Sequence, residues 1–283
     1  MMKIIISGAS GFVGGALRQK FSNHVIVPLS VSDFAKSDED FAKFFEGADA
    51  VVNLAGAPIV ARWSEEYKKI LYSSRIDTTA KIVKAIGRMG QKPKVFISTS
   101  AVGIYTNSKI QSEENCEISN DFLGKLCQKW ESEAKKVEDF GIRLVIFRFG
   151  IILGNNGGAL QKMLLPFRLG LGGVIGSGKQ PFSWVHLDDL ISAFGFALEN
   201  DNVRGVYNLT APEPTTNEGL TKALKMALHR PAFLPIPELV LKLIYSEGAK
   251  VLTDGQTVVP ERLLREGFNF TFSNIEHAIR DLV

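Results

Sequence analysis

The chain has 283 residues, enough for one large α/β domain or a domain with a smaller appendage, and its 45% apolar and 22% charged residues are those of an ordinary globular protein. Its 33 basic residues against 30 acidic ones leave +3, too small and too scattered an excess to argue for nucleic acid or a membrane surface as partner. Cys116 and Cys127 are the only cysteines, without metal-ligand spacing, which argues against a disulfide framework and a zinc site and makes a cytoplasmic, reducing home the expectation.

The opening MMKIIISGAS is too short an apolar run for a signal peptide or membrane span and reads as a first strand. Further strand-like runs follow at VIVPL (25–29), AVVNLAG (50–56), KVFIS (94–98) and RLVIFRF (143–149). Continuous β-branched runs of this kind suit strands covered on both faces of a parallel sheet. Between them, Phe41, Phe44, Phe45 and Ala48 fall at helical spacing, as do Tyr67, Ile70, Leu71, Ile82, Val83 and Ile86 behind Ser64, a candidate N-cap. This alternation predicts an α/β fold with a doubly wound parallel sheet. After residue 150 the rhythm loosens into NNGGALQKMLLPFRLGLGGVIGSGKQP, then one more α/β piece and a helix near Thr215. The last part, from AFLPIPELVLKLIY onward, reads as a small α+β cap over the carboxyl ends of the strands, where such sheets bind ligands.

IIISGASGFVGGAL carries Gly8, Gly11 and Gly14 as G-x-x-G-x-x-G directly after a strand and at the start of a helix. A helix start offers unpaired amides and partial positive charge, and small residues let a pyrophosphate come close. Gly8, Ser10, Gly11, Phe12, Val13 and Gly14 are therefore the candidate cofactor contacts. They make residues 1–160 a Rossmann-type core for a dinucleotide, with a returning segment near 183–210, and leave 161–283 mainly to substrate binding. The second strand ends at Ser30 and Val31 rather than at the carboxylate that usually holds a ribose 2′-hydroxyl, and Asp33 reads as a turn or helix cap. NADP is the expected cofactor and NAD the alternative.

Together, SGASGFVGGAL, NLAGAPI, STSAVGIY, FLGKLCQKWE, GIILGNNGGAL, SWVHLDDL, YNLTAPEP and VVPERLLREGFNF resemble an epimerase-like, YfcH-type branch of the extended short-chain dehydrogenases, in order along nearly the whole chain. The resemblance implies NADP(H) binding, a smaller C-terminal substrate domain and no assigned substrate. By position it places Leu54, Ala55 and Gly56 beside the adenine ribose and pyrophosphate, and Arg75 and Ser30 near the adenosine phosphate. Branch members often carry arginine in the Ser30 slot, a departure that weakens the NADP preference.

YTNSK (105–109) spells the Tyr-x-x-x-Lys that short-chain dehydrogenases use for proton transfer. It begins five residues past Ser100 in a turn-prone stretch, so no helical Tyr–Lys face is expected there. In the superfamily pattern the pair lies on the next helix before a glutamate. Counting back from Glu131 puts Leu123 in the tyrosine slot and Cys127 in the lysine slot, while Lys125 and Lys129 point about 200° away. Ser100, in the superfamily's hydroxyl position, and Tyr105 remain the candidate catalytic residues, against the alternative that both serve local packing and hydrogen bonding. Losing the placed acid–base group costs roughly 10²–10⁴ in rate.

GVIGSGKQ (173–180) approaches a P-loop but ends in Gln180, without the hydroxyl that holds magnesium. Arg168, Lys179, Gln180 and Trp184 suit a loop over a substrate instead, with solvated side chains as the alternative. His186 precedes Asp188 and Asp189 at a helix start, where capping by Asp outweighs a metal or catalytic role. No metal site is expected. The sequence thus points to an NADP(H)-dependent oxidoreductase or epimerase-like enzyme of a small polar substrate, compatible with a homodimer, or to a catalytically silent sensor or scaffold that binds the same cofactor.

Overall fold

The computed structural model describes residues 1–155 and 157–283. In chain order the first part comprises β1 (Lys3–Ser7), α1 (Phe12–Lys20), β2 (Val25–Leu29), α2 (Asp38–Ala42), β3 (Ala50–Asn53), α3 (Glu65–Tyr72), α4 (Thr78–Arg88), β4 (Val95–Ala101), β5 (Ile110–Gln111), α5 (Phe122–Lys135), β6 (Arg143–Phe149), β7 (Ile151–Leu153) and α6 (Gly158–Arg168). There follow β8 (Pro181–Phe182), β9 (Trp184–His186), α7 (Leu187–Glu199), β10 (Gly205–Leu209), β11 (Thr215–Thr216), α8 (Asn217–Leu228), α9 (Glu238–Tyr245), α10 (Lys250–Thr253), β12 (Thr257–Val258), α11 (Glu261–Arg265) and α12 (Ile275–Leu282).

Six parallel strands form the central sheet in the order β10-β6-β4-β3-β1-β2. Successive residues of each strand point to opposite faces, which is why the strands are apolar throughout. Ile4, Ile6, Val52, Ile97 and Phe147 pack against α1 and α7 in one core, while Ile5, Val51, Phe96 and Ile146 pack against α2, α4 and α5 in the other. A third core joins α6, α8 and α12. The chain leaves β1 toward β2 on one side and returns to β3 on the other, so the strand order switches around β1, and a crevice for a ligand opens at the carboxyl ends there. Among the described residues no helix is long and apolar enough to cross a membrane.

Two local departures from the sequence reading matter for the site. The helix expected from Ser64 onward does start there, with Ser64 Oγ accepting from the Tyr67 amide at 3.2 Å, but a π-helical turn at Ser73–Asp77 splits it into α3 and α4. Such turns reset the helical phase and recur at functional sites; this one carries Arg75. At the start of α7 the cap is His186, whose Nδ1 accepts from the Asp188 amide at 3.1 Å, not an aspartate. Asp189 instead accepts the amides of Thr271 and Phe272 at 2.8 and 2.9 Å, pinning the C-terminal segment to the core.

Candidate functional site

The glycine-rich turn packs tightly against its own backbone neighbours. Gly8 sits at φ +68°, and a Cβ there would stand 2.8 Å from the Leu54 carbonyl oxygen. A Cβ on Gly14 would stand 2.7 Å from Ala9 Cα, so α1 seats directly on the turn only because position 14 has no side chain. The Gly11 amide donates to the Gly8 carbonyl at 3.0 Å, and no side chain caps α1, whose first amides therefore face outward with the positive end of the helix dipole. Ser10 and Gly11 are exposed, and Val13 is half-buried. The Phe12 ring packs on the loop that leads into α6: a Cβ on Gly154, Gly157 or Gly158 would come within 2.7, 2.6 or 2.9 Å of it.

A buried hydrogen-bond relay fixes the opposite lip. Ser7 Oγ donates to Asn53 Oδ1 at 2.6 Å, Asn53 Nδ2 donates to Thr79 Oγ1 at 2.8 Å, and Trp130 Nε1 donates to the same oxygen at 3.0 Å. This ties the ends of β1 and β3 to α4 and α5 and holds Leu54, Ala55 and Gly56 in place, the Ala55 amide donating to Asn53 Oδ1 at 3.3 Å. Arg75 lies across that segment. Its Nη2 donates to the Ala57 carbonyl at 2.9 Å, its guanidinium carbon would be 3.1 Å from a Cβ on Gly56, and it lies 5.4 Å from the Trp130 ring centroid. Among the described residues no carboxylate pairs with it, and burial pushes its pKa below the ordinary arginine value. Its other terminal nitrogen, Nη1, donates to the Leu71 carbonyl at 3.3 Å and to Ser74 Oγ at 3.4 Å.

At the tip of β2, Ser30 and Asp33 form a capping box: the Ser30 amide and hydroxyl donate to Asp33 Oδ2 at 2.8 and 2.6 Å. Lys36 reaches Asp33 Oδ1 at 2.7 Å, and these bonds hold the carboxyl down at about 2. Asp33 caps a turn, as its sequence position suggests, and its charge also stands at the strand tip.

The structure resolves the question posed by YTNSK. Tyr105 ends a single 3₁₀ turn, and Lys109, on an exposed loop, donates to Asn115 Oδ1 at 2.6 Å, so no Tyr–Lys face exists. Tyr105, a catalytic candidate of the sequence, lies inside the fold. It is 1% exposed, its hydroxyl accepts from Arg148 Nη1 and donates to Asn208 Oδ1, both at 2.7 Å, and burial pushes its pKa up to about 12. Both hydrogen-bonding partners of the phenol are thus protein groups. Arg148 in turn makes a bidentate pair with Glu131 at 2.7 Å on each arm, a buried cluster that the sequence reading missed. An arginine inside the otherwise apolar run RLVIFRF was its one signal.

Leu123 and Cys127 both lie on α5. Leu123 packs in a cluster with Trp63, Leu126 and Val251, and Cys127 is a buried free thiol held protonated, its pKa pushed to about 11 by burial. Lys125 and Lys129 are exposed on other faces, Lys129 lying 5.2 Å from the Tyr72 ring. Ser100, at the end of β4, is 2% exposed, and its hydroxyl has no hydrogen-bond partner in the fold. Ser98, two residues earlier on the same strand, likewise has a buried hydroxyl without a partner.

The expected substrate loop divides. Arg168 and Lys179 are exposed. Gln180 spends its amide on the Ile175 carbonyl at 3.0 Å, closing its own turn. Trp184 packs inward: β9 pairs with β7, Ile151 opposite Trp184, and the indole lies in the third core, 1% exposed.

Comparison with known proteins agrees with this architecture. Residues 4–210 match the NAD dependent epimerase/dehydratase family, and residues 236–282 match a domain of unknown function, DUF1731. The chain is 38% identical over 294 residues to epimerase family protein SDR39U1 of Mus musculus, covering all of both, and 35% identical over 298 residues to epimerase family protein YfhF of Bacillus subtilis, covering 98% of the latter. A crystal structure of human SDR39U1 with NADPH superposes with a TM-score of 0.90 at 34% identity over 99% of each chain. A UDP-glucuronic acid 4-epimerase from Bacillus cereus, at 19% identity and a TM-score of 0.80, shares the fold. With its Rossmann core and the glycine turn of that core in place, the chain belongs to the NAD dependent epimerase/dehydratase family, among the SDR39U1-type epimerase family proteins.

Proposed function

We propose that this protein binds NADP(H) across the β1 crevice and works as an oxidoreductase or epimerase-like enzyme that does without the usual tyrosine–lysine pair. The observation that carries the reading is the pairing of an uncapped helix start over Gly8, Gly11 and Gly14 with a guanidinium, Arg75, that has no carboxylate of its own. The amides at the start of α1 fit a pyrophosphate, and Arg75 beside Gly56 fits a second anionic contact. The SDR39U1 structure with NADPH supports the same cofactor here. Ser30, with Asp33 and Lys36, stands where the adenosine ribose would lie, and this mixed pair of charges accommodates NADP and NAD alike. Bound, the nicotinamide supplies hydride transfer. The chain supplies placement and the Ser100 hydroxyl, which can donate to a ligand oxygen.

A second reading has its own observation: Leu123, Cys127 and Tyr105 leave no side chain of suitable pKa at the hydride end, which favours a silent NADP(H)-binding sensor or scaffold. One set of experiments tests both. Calorimetry with NADPH and NADH should detect binding, and Arg75→Gln should weaken it by about tenfold or more, the worth of one charge-assisted hydrogen bond. Turnover on a panel of aldehydes, ketones and quinones, lost in Ser100→Ala, supports the enzyme; binding without turnover supports the sensor. Silence toward both nucleotides overturns each.

A further inference from the structure

The stretch SSRIDTT (73–79) carries four hydroxyl side chains, and each turns back onto a main-chain carbonyl in or just before the π-helical turn. Ser73 Oγ donates to the Ile70 carbonyl and Ser74 Oγ to the Leu71 carbonyl, both at 3.4 Å. Thr78 Oγ1 donates to the Ser73 carbonyl at 3.3 Å and Thr79 Oγ1 to the Arg75 carbonyl at 2.5 Å. Hydroxyls that bond the preceding carbonyls compete with regular helical pairing and bend a helix, which gives this turn a local cause.

Thr79 is the member of the group with nothing to spare. A threonine hydroxyl has one hydrogen to give and two lone pairs to receive with. Thr79 Oγ1 gives its hydrogen to the Arg75 carbonyl and receives Asn53 Nδ2 at 2.8 Å and Trp130 Nε1 at 3.0 Å, so its whole capacity is used inside the fold. The three partners belong to the π-helical turn, the end of β3 and α5. The turn and the strand ends then clasp the segment between them. Ser7 Oγ accepts the Leu54 amide at 3.2 Å, Asn53 Oδ1 accepts the Ala55 amide at 3.3 Å, Ser74 Oγ accepts the Ala57 amide at 3.0 Å, and Arg75 Nη2 holds the Ala57 carbonyl. The amide of exposed Gly56, in the middle, has no partner among the described residues.

We infer that Thr79 and Trp130 are positioning residues of the proposed cofactor lip. Both are buried and act through other groups: by fixing the π-helical turn against β3 and α5 they set where Arg75 and the free Gly56 amide stand. What the lip binds rests on the cofactor reading above, whereas the placement of the lip does not. A residue that served only the core would lower stability when changed, without singling out residues 54–57.

The test compares three variants of the full chain. Thr79→Val keeps the shape and removes the hydroxyl, Thr79→Ser keeps the hydroxyl, and Ile279→Val, on α12 in the third core, loosens the fold elsewhere. Without nucleotide, amide hydrogen exchange at Leu54, Ala55 and Ala57 should quicken about tenfold or more in Thr79→Val and stay within about twofold of wild type in the other two. NADPH should bind about tenfold more weakly to Thr79→Val, at a temperature where circular dichroism shows it folded, and as to wild type in Thr79→Ser and Ile279→Val. Trp130→Phe, which keeps a ring and loses the indole N–H, should show the same pattern at reduced size and serves in place of Thr79→Val if that variant does not fold. Exchange at residues 54–57 no faster in these variants than in Ile279→Val overturns the inference, and so does Thr79→Ser behaving like Thr79→Val. Given a wild type that binds NADPH, an unchanged affinity in Thr79→Val overturns it too. A wild type that binds neither NADPH nor NADH overturns the cofactor reading alone, because the exchange measurement needs no nucleotide.

Discussion

Two adjacent glycines at the start of α1 separate what the cofactor turn needs from what any helix tolerates. A Cβ on Gly14 would lie 2.7 Å from Ala9 Cα and 2.9 Å from Ala9 C, with the Gly8 carbonyl oxygen closer still, and all of these are backbone atoms that cannot swing aside. Relief requires α1 to lift from the turn by about an ångström, an overpacking that costs roughly 1–3 kcal/mol. At about 2–4 °C per kcal/mol for a chain of this size, Gly14→Ala should melt roughly 2–12 °C lower. A Cβ on Gly15 meets nothing within 4 Å. Gly15→Ala should therefore gain about 0.5–1 kcal/mol from helix propensity and melt slightly higher. The amides at the α1 start move with the helix, so Gly14→Ala should also lose at least tenfold in NADPH affinity, whereas Gly15→Ala should keep most of it. Calorimetry of unfolding and of NADPH binding on the two variants decides the matter. Matching melting temperatures and matching affinities would refute the close-approach argument.

Three further outcomes are expected. Glu131→Gln leaves the Arg148 guanidinium buried without its counter-ion, and denaturant unfolding should show a loss of about 3–5 kcal/mol; the double change Glu131→Leu with Arg148→Met should recover most of it, and a single-variant loss under 1 kcal/mol would contradict the burial. Tyr105 has a folded pKa of about 12 against an ordinary 10, so its share of stability is intact below pH 10 and is lost as pH rises from 10 through 12; the difference in phenolate absorbance between the wild type and Tyr105→Phe should stay flat to pH 11, and a step near pH 10 in the folded protein would disprove the sealing. Asp33, its carboxyl held at about 2, is charged throughout the neutral range, and removing an exposed charge worth up to about 1 kcal/mol in Asp33→Asn should shift preference toward NADPH over NADH up to about fivefold at low salt and little at 1 M; an unchanged ratio at both salts would place the 2′-phosphate elsewhere.

The sheet was legible because parallel strands covered on both faces leave unbroken apolar runs, and the cofactor turn because glycine there answers a steric demand that no other residue meets. What escaped was what depends on phase. The π-helical turn that carries Arg75 leaves no mark in a periodicity, since Tyr67 to Leu71 and Ile82 to Ile86 are each in register with themselves. Trp184 read as a loop aromatic because a three-residue strand after Pro181 is shorter than any pattern a window detects; only its pairing with β7 turns the indole inward.

The part of α5 where the superfamily pattern places its tyrosine and lysine is packed rather than polar. Leu123 fills the tyrosine slot by joining the cluster that receives α10, and Cys127 fills the lysine slot as a small apolar plug, so both positions now contribute packing between core and cap. The polar capacity of the region is concentrated one layer deeper, where Glu131, Arg148, Tyr105 and Asn208 satisfy one another. The Asn208 amide donates to Glu113, whose other oxygen accepts the Arg262 amide, and Asn208 Nδ2 donates to the Val259 carbonyl, which carries the network into the C-terminal segment. Buried polar groups satisfied in this way fix a unique arrangement and are expensive to disturb. The network therefore acts as a strut that sets the cap against the sheet.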